Sequence, residues 1–279
     1  MIAVELAKQL TRARGWVTLG AVAGVALLLA IVIGATRGSL PERIGDWGSV
    51  TTDTSGFALP LIAINAMTLF LLPLAVAVSA GESVAGDASW GSLRYLLIRP
   101  VKRARVLSAK AVVAAGFSVA NVLVAVVVSF AAGLIAFGWH PLTVIDLQHS
   151  TPLHISAATF AGPKALVLVL GTTGFVLCSM ASTFAFALFV STLTDRAFSA
   201  VAAGVGLGLV SRALDNIPGL HSLSPWLPVT DAGTSAWTGL FTSPVQSGAI
   251  THALVVQGVY TAVFLSAAWA WFTRSDMLH

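Results

Sequence analysis

The chain has 279 residues, 57% of them hydrophobic and only 9% charged, with 15 Lys and Arg against 11 Asp and Glu. A soluble domain carries about 25% charged residues, so this balance and the long uncharged apolar runs exclude a soluble globular protein and predict an all-α integral membrane protein. The net charge of +4 is no nucleic-acid signal, because in a membrane chain the placement of Lys and Arg outweighs their sum; the expected partners are membrane lipid and protein, with no nucleic acid.

The chain opens on MIAVELAKQLTRARG, residues 1–15. Ile2, Leu6, Leu10 and Ala13 recur on one helical face, with Glu5, Lys8, Gln9 and Arg12 on the other. That pattern predicts an N-terminal amphipathic interfacial helix on the inner membrane surface. The apolar run that follows, about 16–35, is longer than a cleaved signal core of roughly 7–15 residues, and reads as a retained span. A bilayer core needs about twenty apolar residues per helix. Five further runs meet that need, at about 57–80, 109–137, 163–190, 197–213 and 249–272. The run 197–213 is the shortest and is rich in glycine.

Six spans place both termini on one side. That side would hold Lys8, Arg12 and Arg14, then Arg94, Arg99, Lys102, Arg103, Arg105 and Lys110, and finally Arg196 and Arg274. Only Arg37, Arg43, Lys164 and Arg212 remain for the other. The positive-inside rule predicts a multi-pass protein of the cell inner (plasma) membrane with both termini cytoplasmic. Trp16, Trp269 and Trp271 then fall at inner ends of spans and Trp139 at an outer end, the interfacial level that indoles prefer.

Polar residues within the spans are few: Asn65, Asn121, Thr172, Thr173, Ser179, Ser182, Thr183 and Gln257. Thr172, Ser179 and Thr183 share a face, which is either a cavity wall or ordinary packing with the hydroxyls bonded to backbone. Asn65 is the stronger cavity candidate, since a lone amide in lipid needs a partner. Gly20 and Gly24 in the first span, and Ala200, Gly204 and Gly208 in the fifth, make small faces suited to close packing within the chain or across a dimer seam. The single cysteine, Cys178, cannot pair within the chain and reads as a small buried apolar residue.

Segment 211–248 contains Pro218, Pro225, Pro228 and Pro244. It is too interrupted to span and too oily for a free loop, so it is expected to be an outer, broken, re-entrant segment. The loop 138–162 holds His140, Asp146, His149 and His154, from which a zinc site is conceivable, but the spacing matches no tight motif. No G-x-x-x-x-G-K-[ST], H-E-x-x-H or serine elbow occurs. The span interiors are almost free of ionisable groups, which argues against a proton-coupled carrier and an intramembrane protease. The chain is not expected to be an enzyme or to bind a cofactor or metal itself.

The remaining feature is residues 81–110, GESVAGDASWGSLRYLLIRPVKRARVLSAK, with six cations. It reads as a cytoplasmic loop of short helices over 81–108, punctuated by Gly81, Gly86 and Gly91, with Ser92 as an N-cap and Pro100 opening a helix. Anchoring to anionic lipid heads accounts for the cations, but not for the acid–glycine section GESVAGDASWG. Gly81-Glu82, Gly86, Gly91-Ser92-Leu93-Arg94, Leu96-Leu97, Arg99-Pro100, Arg103 and Ala109-Lys110 resemble the loop between helices 2 and 3 of ABC-2 type transporter permeases, the transmembrane subunits of multidrug and natural-product ABC exporters. The layout is similar too. Ser92 stands where threonine is more usual, and the fifth span is short.

The resemblance implies a dimeric permease, with itself or a similar chain, driven by separate ABC ATPase subunits that carry ATP and Mg. Glu82, Gly86, Asp87, Trp90, Gly91, Ser92, Leu93 and Arg94 would be the ATPase-docking surface. Asn65, Gly20, Gly24, Gly204 and Gly208 would line the pathway or dimer interface. The family implies export, and the uncharged interior suits an apolar or amphipathic cargo such as a drug, lipid or natural product. Glu82→Arg or Asp87→Arg would then uncouple ATPase binding without unfolding the chain. The rival readings are a secondary carrier or channel and a non-transporting membrane scaffold; ATP-dependent partner binding separates them.

Overall fold

The apolar runs fold as helices of a membrane protein, and the computed structural model describes residues 2–35, 55–89, 103–151, 154–215, 217, 219, 221–230, 236–241, 245 and 247–274. The helices are α1 (Ile2–Thr11), α2 (Ala13–Ala35), α3 (Ala58–Leu69), α4 (Leu71–Ser89), α5 (Arg103–Phe137), α6 (Gly162–Leu193), α7 (Ala197–Asp215) and α8 (Ser247–Arg274). Six of them, α2 and α4 to α8, are long and apolar enough to cross a bilayer. Even the short, glycine-rich run near residue 200 is among them.

Helix α4 sits at the centre. It packs on α5, α6 and α7, while α8 lies against α6 and α2 against α5. Burial follows that arrangement: 67% of the apolar window of α4 is inside the protein, against 22% for α2, α7 and α8. The outer helices therefore present most of their apolar surface outward, as lipid contact requires. One face of α6 does the same. Gly171, Gly174 and Cys178 lie on it and are exposed, so the expectation of a buried Cys178 is corrected; Thr172, Ser179 and Thr183 occupy the inward face instead.

The second span departs from its expected shape in two ways. The run 57–80 is two helices, broken at Phe70 (φ −144°, ψ −47°). The helix also continues to Ser89, so residues 81–89 belong to α4 and 103–108 to α5, and the expected loop over 81–108 is corrected. Trp90, Gly91, Ser92, Leu93 and Arg94, with the apolar stripe and Pro100, lie outside the described residues. Gly81 does not stop the helix because it serves a close approach. A Cβ there would lie 3.0 Å from Val201 N on α7. Beside it, Ser191 of α6 donates to Gly81 O (2.6 Å) and accepts from Ala85 N–H (2.9 Å). Its hydroxyl thus stands between two groups that an unbroken helix would bond to each other.

The small-residue face of α7 also closes within the chain. A Cβ at Gly204 would lie 2.9 Å from the Cβ atoms of both Ala77 and Ala187, and one at Gly208 would lie 3.5 Å from Val229. Of the two uses expected for these glycines, packing within the chain is the one these contacts display. Gly20 and Gly24 on α2 meet nothing within 4 Å and stay on an open face.

At the end of the bundle where α5 stops, an antiparallel hairpin joins it to α6. Strand β1 (Leu142–Thr151) pairs with β2 (His154–Phe160), with Leu142 opposite Phe160 and Val144 opposite Ala158. The sequence reading has a loop here. Leu142 and Val144, two residues apart and so on one face of the strand, are buried in the main core. The side chains of Asp146, His149 and His154 lie outside the described residues, and among the described residues no group of His, Cys, Asp and Glu could hold a metal ion.

Between α7 and α8 run two 3-10 turns, His221–Trp226 and Ala236–Leu240. After the first of them the chain turns inward. Val229 and Thr230 are buried. Gln257 of α8 donates Nε2 to Pro228 O and accepts at Oε1 from Ser182 Oγ of α6. Gln257 is ten residues into α8, about 15 Å along its axis at 1.5 Å per residue, so the segment reaches well into the bundle. Gln257→Leu would leave the Pro228 carbonyl and Ser182 hydroxyl buried without that partner. It is expected to cost about 1–3 kcal/mol, read as a lowered Tm of the purified protein.

Candidate functional site

The helix α1 places Glu5, Lys8 and Gln9 on one face by the i, i+3, i+4 spacing, and Arg12, just past its end, continues that face. That face turns inward. The apolar residues Ile2, Val4, Leu6 and Leu10 point out of the protein. Trp16 anchors the junction with α2, donating Nε1 to Leu10 O at 2.8 Å. An amphipathic helix at a membrane surface would normally leave its polar face to water; here the polar face has a protein partner that the sequence did not reveal.

The partner is Asp87, in the last turn of α4, with no exposed side-chain surface. Its Oδ1 accepts from Lys8 Nζ at 2.5 Å and Arg12 Nη2 at 2.9 Å, and its Oδ2 accepts from Lys110 Nζ of α5. Lys110 is as deeply placed, its side chain 1% exposed. Its ammonium also donates to Glu5 Oε1 (3.2 Å) and Ser83 O (3.0 Å), so all three N–H donors are used. A buried ion is tolerated only when paired and fully hydrogen-bonded, and this cluster meets that condition by drawing on three helices. It joins α1, the end of α4 and the start of α5 through two carboxylates, Asp87 and Glu5.

A second pair lies at the rim. Arg14 Nη1 donates to Glu82 Oε1 at 3.0 Å, with Arg14 largely in the open and Glu82 partly so. Gln9, Thr18, Ser79 and Phe117 line a small depression around it.

These positions revise the expected docking surface. Glu82 keeps a partly exposed place beside the α1–α2 junction. Gly86 is buried, with Arg12 Nη1 3.9 Å from where its Cβ would be. Asp87 faces the protein interior, so Asp87→Arg would put a fourth cation among Lys8, Arg12 and Lys110. The expectation that this variant folds normally is corrected. The sequence places Lys110 among the loop cations and in the Ala109-Lys110 match, but not its burial against Asp87 and Glu5; the available signal was a lone lysine entering a long apolar run.

Of the pathway candidates, Asn65 is half-buried on α3, one turn before its end. Asn121 Oδ1, Thr172 Oγ1, Ser179 Oγ and Thr183 Oγ1 are buried with no hydrogen-bond partner among the described residues.

Residues 28–278 match the family described as protein of unknown function (DUF2705), and the chain belongs to that family. No curated protein matches it.

Proposed function

We propose that this DUF2705 protein is the permease subunit of an ATP-binding cassette transporter. It would pair with a second permease chain, be driven by separate ATPase subunits that carry ATP and Mg, and export an apolar or amphipathic substrate such as a drug, lipid or natural product. The positive-inside distribution supports an inner-membrane location with both termini cytoplasmic.

The observation that carries the reading is the ion cluster on Asp87. It lies where α4 stops and α5 starts, flanking the segment that contains Arg94, Arg99 and Lys102. A push on α1 would pass to two spans through the ion pairs on the buried Asp87 carboxylate. Surface anchoring alone would need no buried charge. The lack of a P-loop in the sequence fits a division of labour with a separate ATPase. Nucleotide can drive such a cycle only by binding one arrangement of the helices better than another, and a rigid lever between ATPase and spans supplies that dependence.

Glu82 tests the docking face. Glu82→Arg replaces a partly exposed side chain at the rim, so it is expected to insert and fold like the parent. Co-purification of the ATPase should fall at least tenfold. Partner binding and transport at parental levels would remove the Glu82 face from the docking surface.

A secondary carrier is the second reading, favoured by the partnerless oxygens of Asn121, Thr172, Ser179 and Thr183, which could line a polar path. It would work with no ATPase present.

A further inference from the structure

The break in the second span has a chemical cause. Pro73 has no N–H, so the carbonyl of Leu69, four residues earlier, loses its helical partner. The vacant acceptor is filled from another span. Arg212, near the end of α7, donates Nη1 to Leu69 O and Nη2 to Thr68 O, the latter at 3.1 Å. A positive charge at the carbonyl end of α3 is also the favourable sign for the helix dipole. One residue further back, Thr68 Oγ1 bonds Ile64 O at 2.5 Å, a back-bond that bends helices. The helix resumes at Leu71, and in its first turn Leu74 N–H bonds Phe70 O at 3.0 Å.

The halves on either side have different neighbours. Helix α3 lies chiefly on α5, where Gly56 and Gly133 meet backbone to backbone. Helix α4 lies between α6, α7 and the inner part of α5 and touches α3 little. The break therefore falls where the packing partners change.

We infer that residues 68–73 are a hinge within the second span and that Arg212 is the strap that holds it. In this arrangement α3 moves with the outer part of α5, and α4 moves with α6, α7 and the inner part of α5. The guanidinium keeps the hinge carbonyls satisfied while the angle changes, because its fork of N–H donors can follow two acceptors at once. Arg212 is thus a positioning residue for the second span. The inference stands on backbone chemistry and does not depend on the ATPase reading.

A double-mutant cycle on the full-length protein in detergent tests it. Pro73→Ala restores an N–H that can bond Leu69 O and close the break. Arg212→Ala is expected to lower Tm by about 5 °C alone, and by less than half as much in the Pro73→Ala background. The amides of 70–72 should exchange hydrogen faster than those at 76–84 in the parent, faster still in Arg212→Ala, and at the slow α4 rate in Pro73→Ala. Equal losses of Tm in both backgrounds would overturn the strap. Exchange at 70–72 as slow as in the body of α4 in the parent would overturn the hinge. If Arg212→Ala fails to accumulate, Arg212→Lys, which keeps the cation but loses the fork, is carried through the same cycle with the same criteria.

Discussion

Asp87→Ala is expected to destabilise the protein by about 3–5 kcal/mol, the scale for breaking a buried ion cluster by removing one partner. Lys110 cannot recover water where it sits, and only Glu5 and the Ser83 carbonyl would remain to it. Lys8 and Arg12 would lose the acceptor they share on α4, leaving Glu5–Lys110 as the charged tie of α1 among those described. Two measurements check this. Tm should fall, and limited trypsin digestion should cut after Lys8 and Arg12, which the parent protects. The double variant Asp87→Ala, Lys110→Met should recover much of the Tm, because a buried pair replaced by apolar groups of similar volume is often neutral or better. It should still release α1 to trypsin. A loss below about 1 kcal/mol for Asp87→Ala would place these charges with solvent-screened surface pairs and remove the cluster as a mechanical joint.

Gly133→Ala carries the second large effect. The glycine packs its α-carbon against the Gly56 backbone, so an added methyl would be driven into the Gly56 carbonyl and would lie 3.1 Å from Leu59 Cβ. Neither neighbour can retreat easily. Gly56 N–H is bonded to Gly138 O at 3.1 Å, and Phe57 packs against Phe130 and edge-on to Trp139. Overpacking of this kind costs about 1–3 kcal/mol or more. Gly24→Ala is the matched control: it meets open space and gains up to about 1 kcal/mol of helix propensity. Thermal unfolding of the two variants side by side should show a fall for Gly133→Ala and no fall for Gly24→Ala. Equal stabilities would show that the α3–α5 contact is loose.

The spans were legible because length and apolarity alone decide whether a helix crosses a bilayer, and that signal is local. The ends and interruptions were not. Pro73 was visible, but the apolar run continues through it, and only Arg212, 139 residues on, shows that the backbone opens there. Helix α4 looks finished at Gly81 because its composition changes. The change marks passage from apolar contacts to contacts with α6, α7 and α1, where small and polar residues fit as well. Asp87 read as a surface acid for the same reason, since an acid beside glycines looks like a loop. Its partners stand 79, 75 and 23 residues away, and no local pattern joins them. The hairpin over 142–160 was hidden by its histidines, although Leu142 and Val144 alternate as a half-buried strand should.

If the α1–α4–α5 end of the bundle is the attachment point of a separate motor, that motor should stay with the chain through purification. The most direct measurement is purification of the tagged chain from its native membranes in mild detergent, followed by an assay of ATP hydrolysis. A near-stoichiometric soluble partner that carries a P-loop, with vanadate-sensitive turnover, is the expected result. A chain that purifies alone and shows no ATPase would contradict it, and the cations around residues 94–110 would then be membrane anchors.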